Sequence, residues 1–202
     1  MGAHSNKMVV NMIKTKELVF HRPSPKQYVP PIPLFEVELV REAKLLGVYF
    51  SDTFSMERHV NYVLQICAQR SYLLKLLRKQ GLSTFHLHTV FNALIMSRML
   101  YAASSFQSFL TASQVDRINS FLKRMFRYGF NNNLEDFRTI VNEVDHTLFV
   151  KICHSTHCLN HLLPPVKLGS LMGLRPKGHL YTVSHSVPMI FIVFRLFLVY
   201  CF

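Results

Sequence analysis

Three arginines recur at helical spacing in the middle of the chain, and this pattern suits contact with phosphates. Arg117, Arg124 and Arg127, together with Ser120, fall on one face of a predicted helix whose opposite face is apolar. Arginines in such a row can contact the backbone of RNA or DNA without reading its sequence. No acidic residue is expected beside them as a partner. The alternative interpretation is an ordinary solvated face of an amphipathic helix.

Five further cations are candidate phosphate contacts. Lys75, Arg78 and Lys79 stand at the end of an earlier predicted helix, and Lys14 and Lys16 stand near the N-terminus. The chain has 23 Lys and Arg against 11 Asp and Glu, and its formal net charge of +12 favours RNA or DNA as a partner. The cations at the helix end have a second explanation, because positive charge at a helix C-terminus complements the helix dipole.

Paired carboxylates for catalysis are not apparent in the sequence. Two-metal phosphoryl transfer requires them, and neither an Asp-Asp nor an Asp-x-Asp pair occurs. The nearest cases, Glu135 with Asp136 and Asp145 with His146, fall in or between predicted helices. We therefore predict no catalytic residues, and no small-molecule substrate is indicated.

A Cys- and His-rich segment near the C-terminus has the composition of a zinc site. On a helix, Cys153, His157 and His161 would lie along one face, but no second ligand pair follows at a familiar zinc spacing. We predict no metal and no cofactor. The four cysteines are irregularly spaced without a secretory signal, which predicts free thiols and an intracellular protein.

Short strands are predicted before residue 52. Leu18-Val19-Phe20 is strand-like, and the prolines between residues 22 and 33 indicate a connection. Val37–Val40 and Ala43–Phe50 are predicted to form a hairpin. Gly47 interrupts the second of these strands, which indicates a bulge or a close backbone approach.

Helices are predicted after Asp52, where the apolar period changes from 2 to 3.6. Their predicted limits are Ser55 to Gly81, Ser83 to about Ala103, Thr111 to about Tyr128, a fourth helix capped by Asn133, and a fifth through Phe149 and Ile152 that stops at Pro164.

The order of these elements predicts the fold class. We expect an α+β fold, mainly α, with a short antiparallel strand hairpin at the N-terminus followed by a bundle of about five helices. The expected division is a strand region at 1–52, helical regions at 53–130 and 131–186, and an apolar tail at 187–202. The tail is shorter than the roughly 20 residues of a spanning helix and contains Arg195. A buried strand or a run-on past the original reading frame is favoured over a membrane span.

Several ordered motifs resemble the reverse transcriptases of non-LTR (LINE-like) retrotransposons. The matching stretches are Asn11-x-x-Lys14-Thr15-Lys16-x-x-x-Phe20, Lys44-Leu45-Leu46-Gly47-Val48, His59, Arg70-Ser71-Tyr72-Leu73-Leu74-x-Leu76-Leu77-Arg78-Lys79-x-Gly81-Leu82, Tyr101-Ala102-Ala103, and His157-x-Leu159-x-x-Leu162-Leu163-Pro164. The likeness covers roughly residues 8–186, and Leu45 replaces the family's usual aromatic residue. It also accounts for the Cys- and His-rich segment without a metal.

The resemblance implies the end of the palm, the thumb and the helical region that follows. In the family, the catalytic aspartates precede the segment that Asn11 begins here. The resemblance thus implies a truncated reverse-transcriptase-like protein, inactive as a polymerase by itself. Weak, salt-dependent binding of RNA or DNA is the activity that we expect to remain.

The helical block at about 55–105 is also similar to the N-terminal segment of AlkB-type tRNA-modifying enzymes. That family's iron site needs a His-x-Asp pair, and no such pair occurs in this sequence. This resemblance implies the alternative function, a helical interaction module without an iron site.

Overall fold

A computed structural model describes residues 11, 14–21, 29, 31–34, 37–163 and 195–198. The fold is α+β and mainly α, as predicted, with short strands preceding the helices. The strands are β1 (Lys16–Val19), β2 (Glu38–Val40), β3 (Glu42–Leu45), β4 (Val48–Ser51) and β5 (Arg195–Leu198). The Pro164-Pro165 pair, where a helix was expected to stop, lies outside the described residues.

The strands form two sheets. β1 lies between β2, which is parallel to it, and β5, which is antiparallel. The parallel pair was not expected from the order of strands and helices. Within the tail, Arg195–Leu198 forms the strand beside β1, and the rest of residues 187–202 lies outside the described part of the chain.

The antiparallel hairpin is present, but its strands are not the predicted ones. β3 pairs with β4, and both lie within the segment Ala43–Phe50 and its flanking residues, which was expected to be a single strand. Leu46 and Gly47 form the turn, with φ values of 46° and 87°. Positive φ at both central residues is the geometry of a two-residue hairpin turn. Gly47 therefore makes a turn, and the bulge interpretation was wrong.

The helices begin close to the predicted limits. They are α1 (Glu57–Lys79), α2 (Thr84–Phe91), α3 (Ser97–Leu100), α4 (Ala103–Phe106), α5 (Ala112–Arg127) and α6 (Phe137–Ile152). A π-helical segment, Asn92–Met96, joins α2 to α3, and 3₁₀ turns follow at Gln107–Phe109 and Asn160–Leu162. No helix in this described part combines the length and apolar character needed to cross a bilayer.

Local capping explains several of these limits. Ser83 accepts a hydrogen bond from the His86 amide at the start of α2, and Thr111 forms a capping box with Gln114 at the start of α5. Gly81 ends α1 with φ of 90°. The predicted N-cap Ser55 was one residue too early, because Met56 holds that position.

The predicted fourth and fifth helices are one helix, α6. Asp136 caps it by accepting from the Arg138 amide, whereas Asn133 lies in the preceding loop and donates its amide to Asn131. The second predicted helix also ends early, at Leu100, because Ala102 adopts φ of 55°. A left-handed residue cannot continue a right-handed helix.

A main hydrophobic core joins the hairpin to the helices. It extends from Val48 of β4 to Val141 of α6, and Phe91, Phe130 and Phe137 are among its largest fully buried side chains. A smaller cluster lies under β1, and the Phe54 ring joins the two regions by stacking on Phe20 at 4.3 Å and on Phe109 at 5.0 Å.

Candidate nucleic-acid interface

Helices α1 and α5 pack side by side and run in the same direction. At their N-terminal ends, Glu57 accepts hydrogen bonds from Gln114 at 3.1 Å and from Arg117 at 2.6 Å. At their C-terminal ends, Arg78 donates to the Tyr128 carbonyl at 2.7 Å. Both helix C-termini, and therefore both negative dipole ends, lie at the same end of the pair.

A shallow groove lies between the two helices and is lined by Leu64, Gln65, Ala68, Arg117, Ser120, Phe121 and Arg124. Its floor is apolar, because Phe121 is buried and Leu64 is partly buried against the core. Its polar lining comes mainly from the predicted α5 stripe. The structure therefore brings Arg117 and Arg124 into one surface with α1.

Two of the predicted α1 cations continue this surface towards the helix C-termini. The Lys75 ammonium lies 4.7 Å from the centre of the Tyr128 ring, and the Arg78 guanidinium lies 5.0 Å from that of Phe130. Cations over aromatic rings are attracted by the negative face of the ring. Tyr128 therefore positions Lys75, and Arg78 also satisfies a carbonyl at the end of α5.

Five predicted cations are exposed at this end of the pair: Lys75, Arg78, Lys79, Arg124 and Arg127. Arg124 lies 5.4 Å from the centre of the Phe121 ring. In the part of the chain that the structure describes, neither Lys79 nor Arg127 has an ion pair or hydrogen bond. These charges are available to solvent and to a ligand.

Arg117 was expected to lack an acidic partner, and this expectation was wrong. It forms an ion pair with Glu57 and a hydrogen bond with Asn61. The hydrogen bond from Gln114, followed by the one from Arg117, holds the pKa of Glu57 below its usual value. Glu57 lies 60 positions from Arg117 in the sequence, so helical spacing could not reveal the pair.

Lys14 and Lys16 belong to the strand region and not to the groove. Lys16 starts β1 and forms an ion pair with Glu38 of the neighbouring β2 at 2.6 Å, which accounts for its charge within the sheet. Lys14 is exposed in the turn that precedes β1. The eight predicted cations therefore separate into a group of six on α1 and α5 and a pair beside the sheet.

One signal in the sequence was missed, namely a long segment almost without acid. Residues 58–134 contain ten Lys and Arg but a single acidic residue, Asp116. This segment includes both groove helices. Tyr128 and the exposed Tyr72 were also missed as aromatic members of the surface, although a search for aromatic residues among clustered cations would have found them.

The Cys- and His-rich segment lacks the helix on which its metal-like spacing depended. α6 ends at Ile152, so Cys153, His157 and His161 do not follow a common helical face. In the described residues, no group of three or more metal-ligating side chains comes together. Cys153 and Cys158 are exposed and form no disulfide within the described part of the chain, whereas burial raises the pKa of the Cys67 thiol to about 11.

A second cationic cluster lies where the hairpin meets α1 and α3. Lys44 and Arg98 both donate to the Tyr62 hydroxyl, at 3.3 Å and 3.1 Å. The hydrogen bond from Lys44 is the main reason that the pKa of Tyr62 is lowered. Arg58 covers the neighbouring Tyr49 ring at 4.8 Å and pairs with Glu42. These contacts attach the hairpin to the helices.

Comparison of the chain with protein-family models, curated proteins and solved structures found no match.

Proposed function

We propose that this chain binds RNA or DNA without sequence specificity through the basic surface of α1 and α5. The observation that carries the proposal is the parallel packing of these helices, which gathers six predicted cations along one groove and its end. Phosphate contacts of this kind fix position on a strand but carry no sequence information. The resemblance to non-LTR reverse transcriptases, in which thumb helices hold a template and primer, supports the same partner.

Polymerase chemistry is not part of the proposal, because three of the acids near the helical surface have other roles. Glu57 pairs with Arg117, and Asp136 caps α6. Glu42 is bound to Arg58 on the hairpin. Two-metal catalysis needs neighbouring carboxylates that are directed at bound ions. With Mg²⁺ and a primed template, we expect the purified chain to incorporate no nucleotide, and turnover would refute this part of the proposal.

The proposal is tested with a neutralised groove. Replacing Lys79, Arg124 and Arg127 by Gln should weaken binding of a labelled oligonucleotide at low salt by tenfold or more, measured by fluorescence anisotropy. The matched control replaces Arg41, Arg138 and Lys151 by Gln, which removes the same charge from exposed positions outside the groove.

Equal losses of oligonucleotide affinity in the two triple variants would show that binding depends on the net charge of the chain and not on the groove. Absence of binding by the unmodified chain at low salt would refute the proposal. A protein partner bound equally well at low and high salt would instead favour the alternative of a helical interaction module.

A further inference from the structure

The groove between α1 and α5 follows two packed helices. The axes of packed helices lie roughly 8–10 Å apart, so the groove is narrow. Together, the groove and the basic surface that continues it extend about 22 Å along α1 from Leu64 to Lys79, at 1.5 Å per residue. This length matches about six nucleotides at the roughly 3.4 Å spacing of stacked bases along one strand.

An exposed aromatic ring stands at the edge of this groove. Tyr72 is 67% exposed on α1, one helical turn after the groove residue Ala68 and three residues before Lys75. Residues three and four apart are neighbours on a helix surface, so Tyr72 lies beside the groove and beside Lys75. A large exposed ring next to cations loses water-exposed apolar area when a flat partner covers it.

We infer that the groove takes a single strand in preference to a duplex, with one base stacked on Tyr72 and the flanking phosphates on Lys75, Lys79 and Arg124. The inference rests on the proposed function and names its substrate class. In a duplex the bases are already paired and stacked on each other, so only phosphates would be available to the groove. In an unpaired strand a base face is free, and stacking on an aromatic side chain tolerates any base.

The charge pattern fits a strand that lies along the groove. The two acids of this helix pair, Glu57 and Asp116, both lie towards the N-terminal ends, and Glu57 is already bound by Arg117. Cations continue from Arg124 to Lys79 at the other end. A purely acidic peptide would satisfy these cations but would leave the Tyr72 ring uncovered.

The sharpest test uses the absence of tryptophan from the chain. Tyr72→Trp places a single reporter at the groove edge, and stacking of a base should quench its fluorescence. We expect quenching by a single-stranded oligothymidylate and little quenching when its complement has made it a duplex. Phe85→Trp is the matched control, because Phe85 is 74% exposed on α2 outside the groove and should not be quenched by either ligand.

Affinity measurements complete the test. Tyr72→Ala should weaken single-strand binding by about tenfold and leave duplex binding unchanged, whereas Tyr72→Phe should bind as the unmodified chain does. Equal affinity for the two forms, or no effect of Tyr72→Ala, would overturn the inference while leaving general nucleic-acid binding intact. Binding of neither form would refute both proposals. Displacement of the strand by poly-glutamate of equal charge, as effectively as by unlabelled strand, would also overturn the inference.

Discussion

His59 shows how the core determines the charge of one residue. Its side chain is 3% exposed, its Nδ1 accepts from the Tyr49 amide at 3.4 Å, and its ring meets Phe106 edge-on at 4.6 Å. Burial, with smaller contributions from the nearby Arg98 and Lys44, lowers the pKa of His59 to about 4. The imidazole is therefore neutral in the folded protein over the physiological range.

This neutrality predicts a loss of stability in acid. The folded pKa of about 4 lies below the ordinary value of 6.5, so the unfolded chain binds the proton first as pH falls. The free energy of unfolding should decrease between pH 6.5 and 4, by about 3 kcal/mol from this group. Denaturant titrations at several pH values measure this decrease in the free energy of unfolding. His59→Asn, which keeps an acceptor for the Tyr49 amide, should flatten the decrease, whereas His146→Asn at an exposed position should not.

Gly47 is required by both its backbone conformation and its neighbour. Its φ is 87°, and a Cβ there would lie 3.2 Å from Cε1 of Tyr101. Tyr101 also donates its hydroxyl to the Leu46 carbonyl at 3.0 Å, so the Tyr-Ala-Ala segment between α3 and α4 contacts the hairpin turn through its tyrosine. Two motifs that were matched separately in the sequence thus form one contact.

Gly81 provides a matched control for Gly47, because its φ is 90° and no atom of the described residues lies within 4 Å of a Cβ placed there. Gly81→Ala should lower the free energy of unfolding by about 1 kcal/mol through backbone strain alone. Gly47→Ala should cost about 1 kcal/mol more, owing to the Tyr101 contact. In a Tyr101→Ala background this excess should disappear from chemical denaturation curves. An excess that persists would contradict the contact.

The parallel packing of α1 and α5 requires positive charge near the C-terminal ends of the two helices. Two adjacent C-terminal dipole ends repel each other, and cations there reduce the repulsion. Arg78 does this most directly, through its hydrogen bond to the Tyr128 carbonyl and its position over Phe130. Some of the predicted phosphate contacts therefore also stabilise the fold.

Arg78 is expected both to stabilise the fold and to contact phosphate, whereas its neighbour Lys79 is expected only to contact phosphate. Arg78→Gln should reduce the free energy of unfolding by about 1 kcal/mol, because a charge-assisted hydrogen bond is lost. Lys79→Gln should change stability by less than about 0.5 kcal/mol, since its side chain is exposed, yet should weaken binding of an oligonucleotide. Thermal melts and anisotropy on the same two variants measure both effects. Equal stability of the two variants would contradict the capping role of Arg78.

At the scale of the whole molecule, the acid-poor segment 58–134 is the dominant electrostatic feature. A strand that binds there releases condensed counterions, so the binding constant should fall steeply with salt. For a single strand, the slope of log K against log salt changes by about 0.7 for each phosphate contact. The Lys79, Arg124 and Arg127 to Gln variant should therefore have a slope shallower by about 2. An unchanged slope would show that these three residues do not contact phosphates.

Features that depend on residues within a few positions of each other were predictable from the sequence. Thr111 with Gln114, Ser83 and Gly81 were readable because a cap is made within one turn. The α5 stripe was readable for the same reason, and so were the fold class and most helix limits. The hairpin was misplaced because the positive φ of Leu46 could not be foreseen from a residue type that rarely adopts it.

Which helices share a surface, and which charges neutralise each other, became apparent only in the folded chain. Arg117 meets Glu57, Arg78 meets Tyr128, and β1 takes β2 as a parallel neighbour, all across long sequence separations. Such pairings follow from burial of apolar faces in a common core, which specifies the partners of a helix only when the whole chain is packed. The eight predicted cations were thus identifiable one by one. Their division into six on α1 and α5 and two beside the sheet was not predictable from the sequence.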